Sequence, residues 1–418
     1  MASYSKVKYS KIENKYLFFA SILAVSFALL PITRLLPEVI KASVIMLEFS
    51  LGIIGVLNIL NKYKKSSKLK HITYFIVIVF VLIIDLMIYL GEYQYVPVFS
   101  FLSKFLMMFA FWLPFILVAT YCTSFDVAAI NIIKKVILFF LIVTAITTLA
   151  GSIFFDDASR ILASGDTNGN RLYQAYNIGG YGFIYALSLT IPWLIYQYHT
   201  YHKKIVVLIL ILFCGCIIKS SYTTAIIITL YSIIVSLIMT RTIKKKSKIR
   251  ILLMTIPFII IIMLCLNNQS FWVLLLKIVS SNSILLERVS NLQDLFIKQS
   301  MMGDIGFRTR LYLMSWNAFL NNPLTGNMTN HTVMKLGYHS EILDLLGGCG
   351  IIGFSILLII ICYLRKIIMP QYKNQSIKVY YMVTLLAFFV FCFINTVIGS
   401  LEFSIVLSFL YLPEYKNG

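Results

Sequence analysis

The residues able to do chemistry in this chain are gathered in one place. Between about Asn268 and Gly353 lies the only long polar segment of an otherwise apolar sequence. It contains the text GFRTRLYLMSWNAFLNNPLTG and, a short gap later, GYHSEILDLLGGCGIIG. Arg308 and Arg310 open the first block. The spacing predicts a helix from Arg308 to Phe319, because Arg308, Tyr312, Trp316 (or Ser315) and Phe319 fall three or four apart and share a stripe. Asn321-Asn322-Pro323 should end that helix, since proline cannot continue it, and Gly326 follows in a turn. A guanidinium one turn from an aromatic stripe can hold a phosphate and stack a sugar. The same pattern also suits an amphipathic helix lying on a membrane with its arginines at lipid head groups.

His339 opens the second block, where the polar segment turns into an apolar run. An imidazole whose unperturbed pKa is about 6.5 is suited to taking a proton from a hydroxyl. Ser340 is a candidate N-cap. The free N–H groups and positive dipole end of the helix that follows would make a site for a diphosphate. Glu341 and Asp344 are three apart and share a helix face. They can orient a histidine or bind sugar hydroxyls, or they can merely cap and solvate a helix start. Gly347, Gly348, Gly350 and Gly353 in the same run imply close helix packing or an internal cavity.

The elements that must hold these groups are membrane helices. Of 418 residues, 60% are hydrophobic and only 12% charged; a soluble domain carries about twice that charged fraction. Several apolar runs of roughly 17–22 residues are each long enough to cross a bilayer. The expected fold is therefore all-α and polytopic, with about twelve transmembrane helices placed at 16–33, 39–60, 72–90, 99–121, 136–155, 177–198, 205–218, 223–240, 251–267, 344–364, 379–397 and 400–413. Strands of alternating polarity, which a barrel needs, are absent from the text.

The formal charge of +20 would suggest nucleic acid in a soluble protein. Here Lys and Arg crowd into the N-terminal tail and the loops near 62–70, 241–250 and 365–378. Under the twelve-helix layout these fall on one side, which the positive-inside rule makes the cytoplasm, with both termini there. The first residues do not read as a cleavable signal, so Tyr16 onward is expected to be a retained helix. One membrane domain, 1–418, then carries an inserted extracytoplasmic subdomain at 268–343, with short helices of its own, and a smaller extracytoplasmic loop at 155–176. The smaller loop brings Arg160 and Arg171 to the same surface, followed by Asn177-Ile178-Gly179-Gly180-Tyr181-Gly182. Lys219 stands at the outer end of a span, where a lysine either snorkels or meets an anionic ligand. Cys214 and Cys216 lie mid-run with no His or carboxylate nearby, which reads as apolar filler and not as a metal site.

The pattern R-x-x-x-Y-x-x-S-x-x-x-F-x-x-N-P-L-x-G, followed by G-x-H-S-E-x-L-D-L-L-x-x-x-G-I-x-G, resembles the Wzy family of O-antigen and capsular polysaccharide polymerases, relatives of the O-antigen ligases. Here it is carried by Arg308, Tyr312, Ser315, Phe319, Pro323, Leu324, Gly326, Gly337, His339, Ser340, Glu341, Leu343, Asp344, Gly350 and Gly353. The resemblance implies a GT-C-like membrane glycosyltransferase of the bacterial cytoplasmic membrane, working without cofactor or catalytic metal. Donor and acceptor would be undecaprenyl-diphosphate-linked glycans, and a chain-length regulator would be a partner. It implies His339 as base and Arg308 as diphosphate ligand, with Arg310 beside it and Arg160 or Arg171 as the counterpart in the smaller loop. Ser340 stands where many ligases have asparagine, which leans towards polymerase. A ligase-type enzyme is the nearest alternative. A flippase or transporter would want several buried ionisable residues and inverted repeats, whereas Asp85 is the clearest buried carboxylate and no repeat is visible.

Overall fold

The computed structural model describes residues 14–62, 110–118, 127–155, 167–242, 268–280, 303–329, 334–368, 375–397 and 400–412, with isolated positions between them. Among these residues the chain is helical and contains no strand. In chain order the elements are α1 (Lys15–Leu29), a 3-10 turn (Pro31–Leu35), α2 (Glu38–Lys62), α3 (Val127–Phe154), α4 (Thr167–Ala175), α5 (Tyr181–Tyr201), α6 (Lys204–Lys219) and α7 (Thr223–Thr242). They continue with α8 (Gln269–Val279), α9 (Gly303–Asn321), a second 3-10 turn (Gly326–Thr329), α10 (Glu341–Ile368), α11 (Gln375–Ile394) and α12 (Leu401–Ile405), which runs on as a π turn (Val406–Leu410).

Among the described residues, three helices are long and apolar enough to cross a membrane: Ala128–Phe154, Glu341–Cys362 and Ile377–Ile394. Their outward faces support that use. Phe139, Ile146 and Ile153 on α3 repeat every seven residues and are exposed, as are Phe389 and Phe393 on α11. Contiguous apolar surface of this kind is unusual on a protein surrounded by water. The expected spans 72–90 and 99–121 fall largely outside the described residues, and 251–267 wholly so.

The centre of the bundle is α5, whose residues from Gly182 to Gln197 are all buried. A helix apolar on every side belongs inside a packed bundle, and α5 is surrounded by α6, α7, α11 and α12. Pro192 interrupts its hydrogen bonding. Separately, the Leu189 carbonyl accepts from Thr384 Oγ1 (3.3 Å) and the Tyr411 hydroxyl (3.4 Å), which ties α5 to α11 and the C-terminal turn. Beside this core, α9 packs along α10, and α10 packs on α11.

Several boundaries differ from the sequence reading for local reasons. The first helix stops at Leu29 because Leu30 is extended and Pro31 starts a new turn. The helix expected from 177 starts at Tyr181, since Asn177 has a left-handed φ of 55°. The long polar segment does contain short helices, α8 and α9.

Candidate functional site

The Asn-Asn-Pro-Leu text does stop α9, and the fold uses it a second time. Inside α10, Gly350 leaves helical geometry at φ 63°, ψ −165°. That break frees two donors: the Ile351 N–H donates to the Pro323 carbonyl (2.9 Å), and the Ile352 N–H donates to the Leu324 carbonyl (3.1 Å). A Cβ on Gly350 would collide with the Leu324 carbonyl, and one on Gly326 (φ 58°) would stand 2.5 Å from the Gly347 oxygen. The α9–α10 turn is therefore inserted into a broken helix, which locks the two elements together.

Above this lock, one carboxylate organises the approach to α10. Asp344 is buried at 3% exposure. It accepts from the Ser315 hydroxyl of α9, from the Tyr338 N–H (3.1 Å) and from the Ser340 N–H (3.0 Å). Ser315 relays onward by accepting from the Gly337 N–H (2.9 Å). Ser340 caps the helix as expected, accepting from the Leu343 N–H (3.3 Å). The residues on both sides of His339 are thus pinned by their backbone, including Tyr338 with its left-handed φ of 55°. Of the roles open to Asp344 in the sequence, clamping the helix entry is the one its hydrogen bonds serve. Glu341 is likewise engaged, accepting from the Val397 N–H (2.8 Å) while its own N–H donates to the Asn395 carbonyl (3.1 Å).

His339 is half-buried in this turn. Burial, and then the positive charge of Arg308, push its imidazole below its ordinary pKa, while Asp344 pulls the other way. Arg308 is itself half-buried on α9, and its charge acts on Tyr181, Tyr185 and Tyr312 as well as His339. Burial raises the Tyr312 phenol, and Arg308 partly offsets this; its hydroxyl donates to the Ile394 carbonyl (2.7 Å). The Tyr181 and Tyr185 rings lie 4.4 Å apart, tilted at 49°, and Tyr222 lies 5.9 Å from each. The site is thus an arginine and a histidine from different elements, with the arginine's charge also reaching three tyrosines.

Other expected residues are placed differently. Arg310 is exposed and lies over the Phe307 ring at 5.9 Å, on another side of α9 from Arg308. The inward stripe of α9 passes through buried Ser315 and not Trp316, which is 39% exposed. Lys219 closes the last turn of α6, next to the turn bearing Tyr222. Arg171 is exposed on α4, which packs on the 3-10 turn that carries Arg34. Arg160 lies outside the described residues. Among the described residues no group of three or more His, Cys, Asp and Glu side chains has a metal-ligating arrangement.

The sequence reading missed Arg34 and Glu402. They form an ion pair although 368 positions apart, with the Glu402 side chain 4% exposed. Glu402 sits against Gly182, where a Cβ would lie 2.9 Å from Oε2. The preceding Asn177 ties this region to α3, donating from Nδ2 to the Thr144 hydroxyl (3.2 Å), while the Gly179 N–H donates to the Thr148 hydroxyl (2.7 Å). A signal was present: Glu402 is a carboxylate inside an apolar run, and such a residue demands a partner.

No protein-family model matches this chain, and no curated protein matches it either.

Proposed function

We propose that the chain is a membrane glycosyltransferase that joins lipid-diphosphate-linked oligosaccharides, a polymerase of surface polysaccharide repeat units of the Wzy kind. One observation carries this reading. A half-buried histidine, within reach of the charge of a half-buried arginine on α9, stands at the N-terminal end of a helix long and apolar enough to cross a bilayer. A prenyl diphosphate is an amphiphile whose charge stops at that boundary and whose tail goes no further than the lipid. In this reading the site faces outward from the bacterial cytoplasmic membrane, with the termini on the cytoplasmic side.

The chemistry divides between two charges. Arg308 meets the negative charge that develops on the departing lipid diphosphate, where a guanidinium in a partly dry cleft binds two oxygens at once. A diphosphate stabilised in this way leaves without a general acid. His339, kept neutral by burial and by Arg308, accepts the proton of the acceptor sugar hydroxyl as it attacks the anomeric carbon. The bond from that carbon to the diphosphate oxygen breaks as the new glycosidic bond forms. A single displacement inverts the anomeric centre, and retention in the product would exclude it. The partly exposed rings of Tyr181 and Tyr222 offer faces for sugar rings.

The test is the profile of lipid-linked glycans in a deletion strain carrying Arg308→Ala or His339→Ala. Both variants should insert stably and accumulate single repeat units. A stable His339→Ala chain that restores full polymer would refute the assignment. Full-length polymer left on the carrier lipid would instead identify a ligase.

A further inference from the structure

The last turns of α9 reach further along α10 than a loop outside the membrane would need to. The two helices run side by side in the same direction. Ser315 bonds to Asp344, a Cβ on Gly347 would meet the Ser315 carbonyl (2.7 Å) and Ala318 (3.4 Å), and the Leu324 carbonyl lies against Gly350. Each step down α9 is therefore a step down α10. The chain then turns back: Gly326 and Leu336 pack at Gly347, and Gly337 ends against the Leu311 carbonyl. Glu341–Cys362 is long and apolar enough to cross a membrane, and Gly350 stands nine residues below its start. At 1.5 Å per residue that is roughly 14 Å, about half of a ~30 Å hydrocarbon core.

The exposed surface fits such a depth. Leu313, Trp316 and Leu320 form one exposed edge of α9, and Arg310, Asn317 and Asn321 the other. Leu324, just past the helix, is 64% exposed. The Ile352 N–H bond to its carbonyl (3.1 Å) sets it beside α10, where Ile351, Ile352, Leu358 and Ile359 are exposed. The apolar surface at the end of α9 thus adjoins the outward surface of a candidate membrane span.

The turn is also built to do without water. Irregular backbone at membrane depth survives only where protein satisfies it. The Gly326 N–H donates to the Asn322 carbonyl (2.8 Å), and Asn322 Nδ2 donates to the Thr329 hydroxyl (3.0 Å). Buried Asn327 accepts from the Met334 N–H (3.2 Å) and donates to the Met334 carbonyl (2.7 Å). Asn321 donates to the Met334 sulfur, and the Pro323 and Leu324 carbonyls accept from α10.

We infer that α9 is a re-entrant helix. It enters the bilayer from the His339 side, turns near the mid-plane at Asn321–Thr329 and returns to Gly337, in place of standing wholly outside. Lipid acyl chains cover Leu313, Trp316, Leu320 and Leu324. Arg308 and Arg310, one turn or less above Leu311, stay at the level of the lipid phosphates.

The experiment uses the full chain in lipid nanodiscs with a nitroxide on a ketone-bearing amino acid, which leaves the native cysteines in place. The label is introduced singly at Leu313, Leu320, Leu324 and Tyr338, all exposed positions. Collisions with oxygen, which dissolves in the bilayer, are compared with collisions with a water-soluble nickel chelate. Tyr338 should collide freely with the chelate, and Leu320 and Leu324 should collide mainly with oxygen. The depth from Leu313 to Leu320 should increase by about 10 Å, the rise of seven helical residues. Equal depths at Leu313, Leu320 and Leu324 would show a helix lying flat on the surface and overturn the assignment. Chelate collisions at all three as frequent as at Tyr338 would place α9 in water, and shielding of all three from both reagents would mean a protein partner; either result also overturns it. Should one labelled chain fail to fold, the remaining α9 positions still give the gradient. None of these readouts depends on glycosyl transfer, so the proposed function stands or falls separately.

Discussion

Asp344→Ala tests whether His339 is held by its neighbours' backbone. The wild-type carboxylate accepts from three donors: the Ser315 hydroxyl and the Tyr338 and Ser340 N–H groups. A hydrogen bond to a charged group contributes about 1.5–3 kcal/mol, so losing three would remove on the order of 5 kcal/mol from the turn. Water entering the vacated space recovers part of this, which leaves a local loss of about 2–3 kcal/mol. Opening of the 337–340 turn then becomes roughly 30–150 times more frequent. Hydrogen–deuterium exchange of the nanodisc-embedded chain should show that acceleration in peptides covering Tyr338 and Ser340, with the amides of α5 unchanged. Asp344→Asn should fall between, because its amide oxygen can still accept while its NH2 faces donors. Polymerisation should drop about a hundredfold, the usual effect of misplacing a reacting group by about 1 Å. Exchange within threefold of wild type in Asp344→Ala would refute the clamp, and with it the account of how His339 is positioned.

The His339 imidazole lies below its ordinary pKa through burial and Arg308, so it should be neutral and reactive towards diethyl pyrocarbonate at pH values under about 6.5. Arg308→Gln removes a depressing charge and should move that labelling limb to higher pH; a downward shift would contradict the geometry. For stability the sign is that of a depressed base: the unfolded chain binds the proton more readily, so this residue's contribution weakens as pH falls through about 6.5. Gly350→Ala should lower the thermal midpoint in detergent by about 3 °C or more, since a side chain there meets the Leu324 carbonyl at a left-handed φ. Gly215→Ala, with nothing within 4 Å of the added carbon, is the matched control and should leave the midpoint unchanged or slightly raised.

What the sequence by itself determined is local. Among the described residues the chain is helical over most of the apolar runs, Pro323 ends α9, Ser340 caps α10, and His339 stands at the point where polar text becomes apolar helix. Each follows from a preference carried within a few residues, such as a missing N–H, a short acceptor side chain or a run of apolar groups. Tertiary structure decided the partners. It chose Arg308 over Arg310 to bring charge to the tyrosines and Ser315 over Trp316 to line the inward stripe, and it gave Asp344 to the backbone of the helix entry. It also placed the Pro323 and Leu324 carbonyls in the break at Gly350, and Glu402 against Arg34 and Gly182. Periodicity fixes which residues share a helix face, but the neighbour that face meets depends on how helices far apart in the chain pack, and no local pattern encodes that.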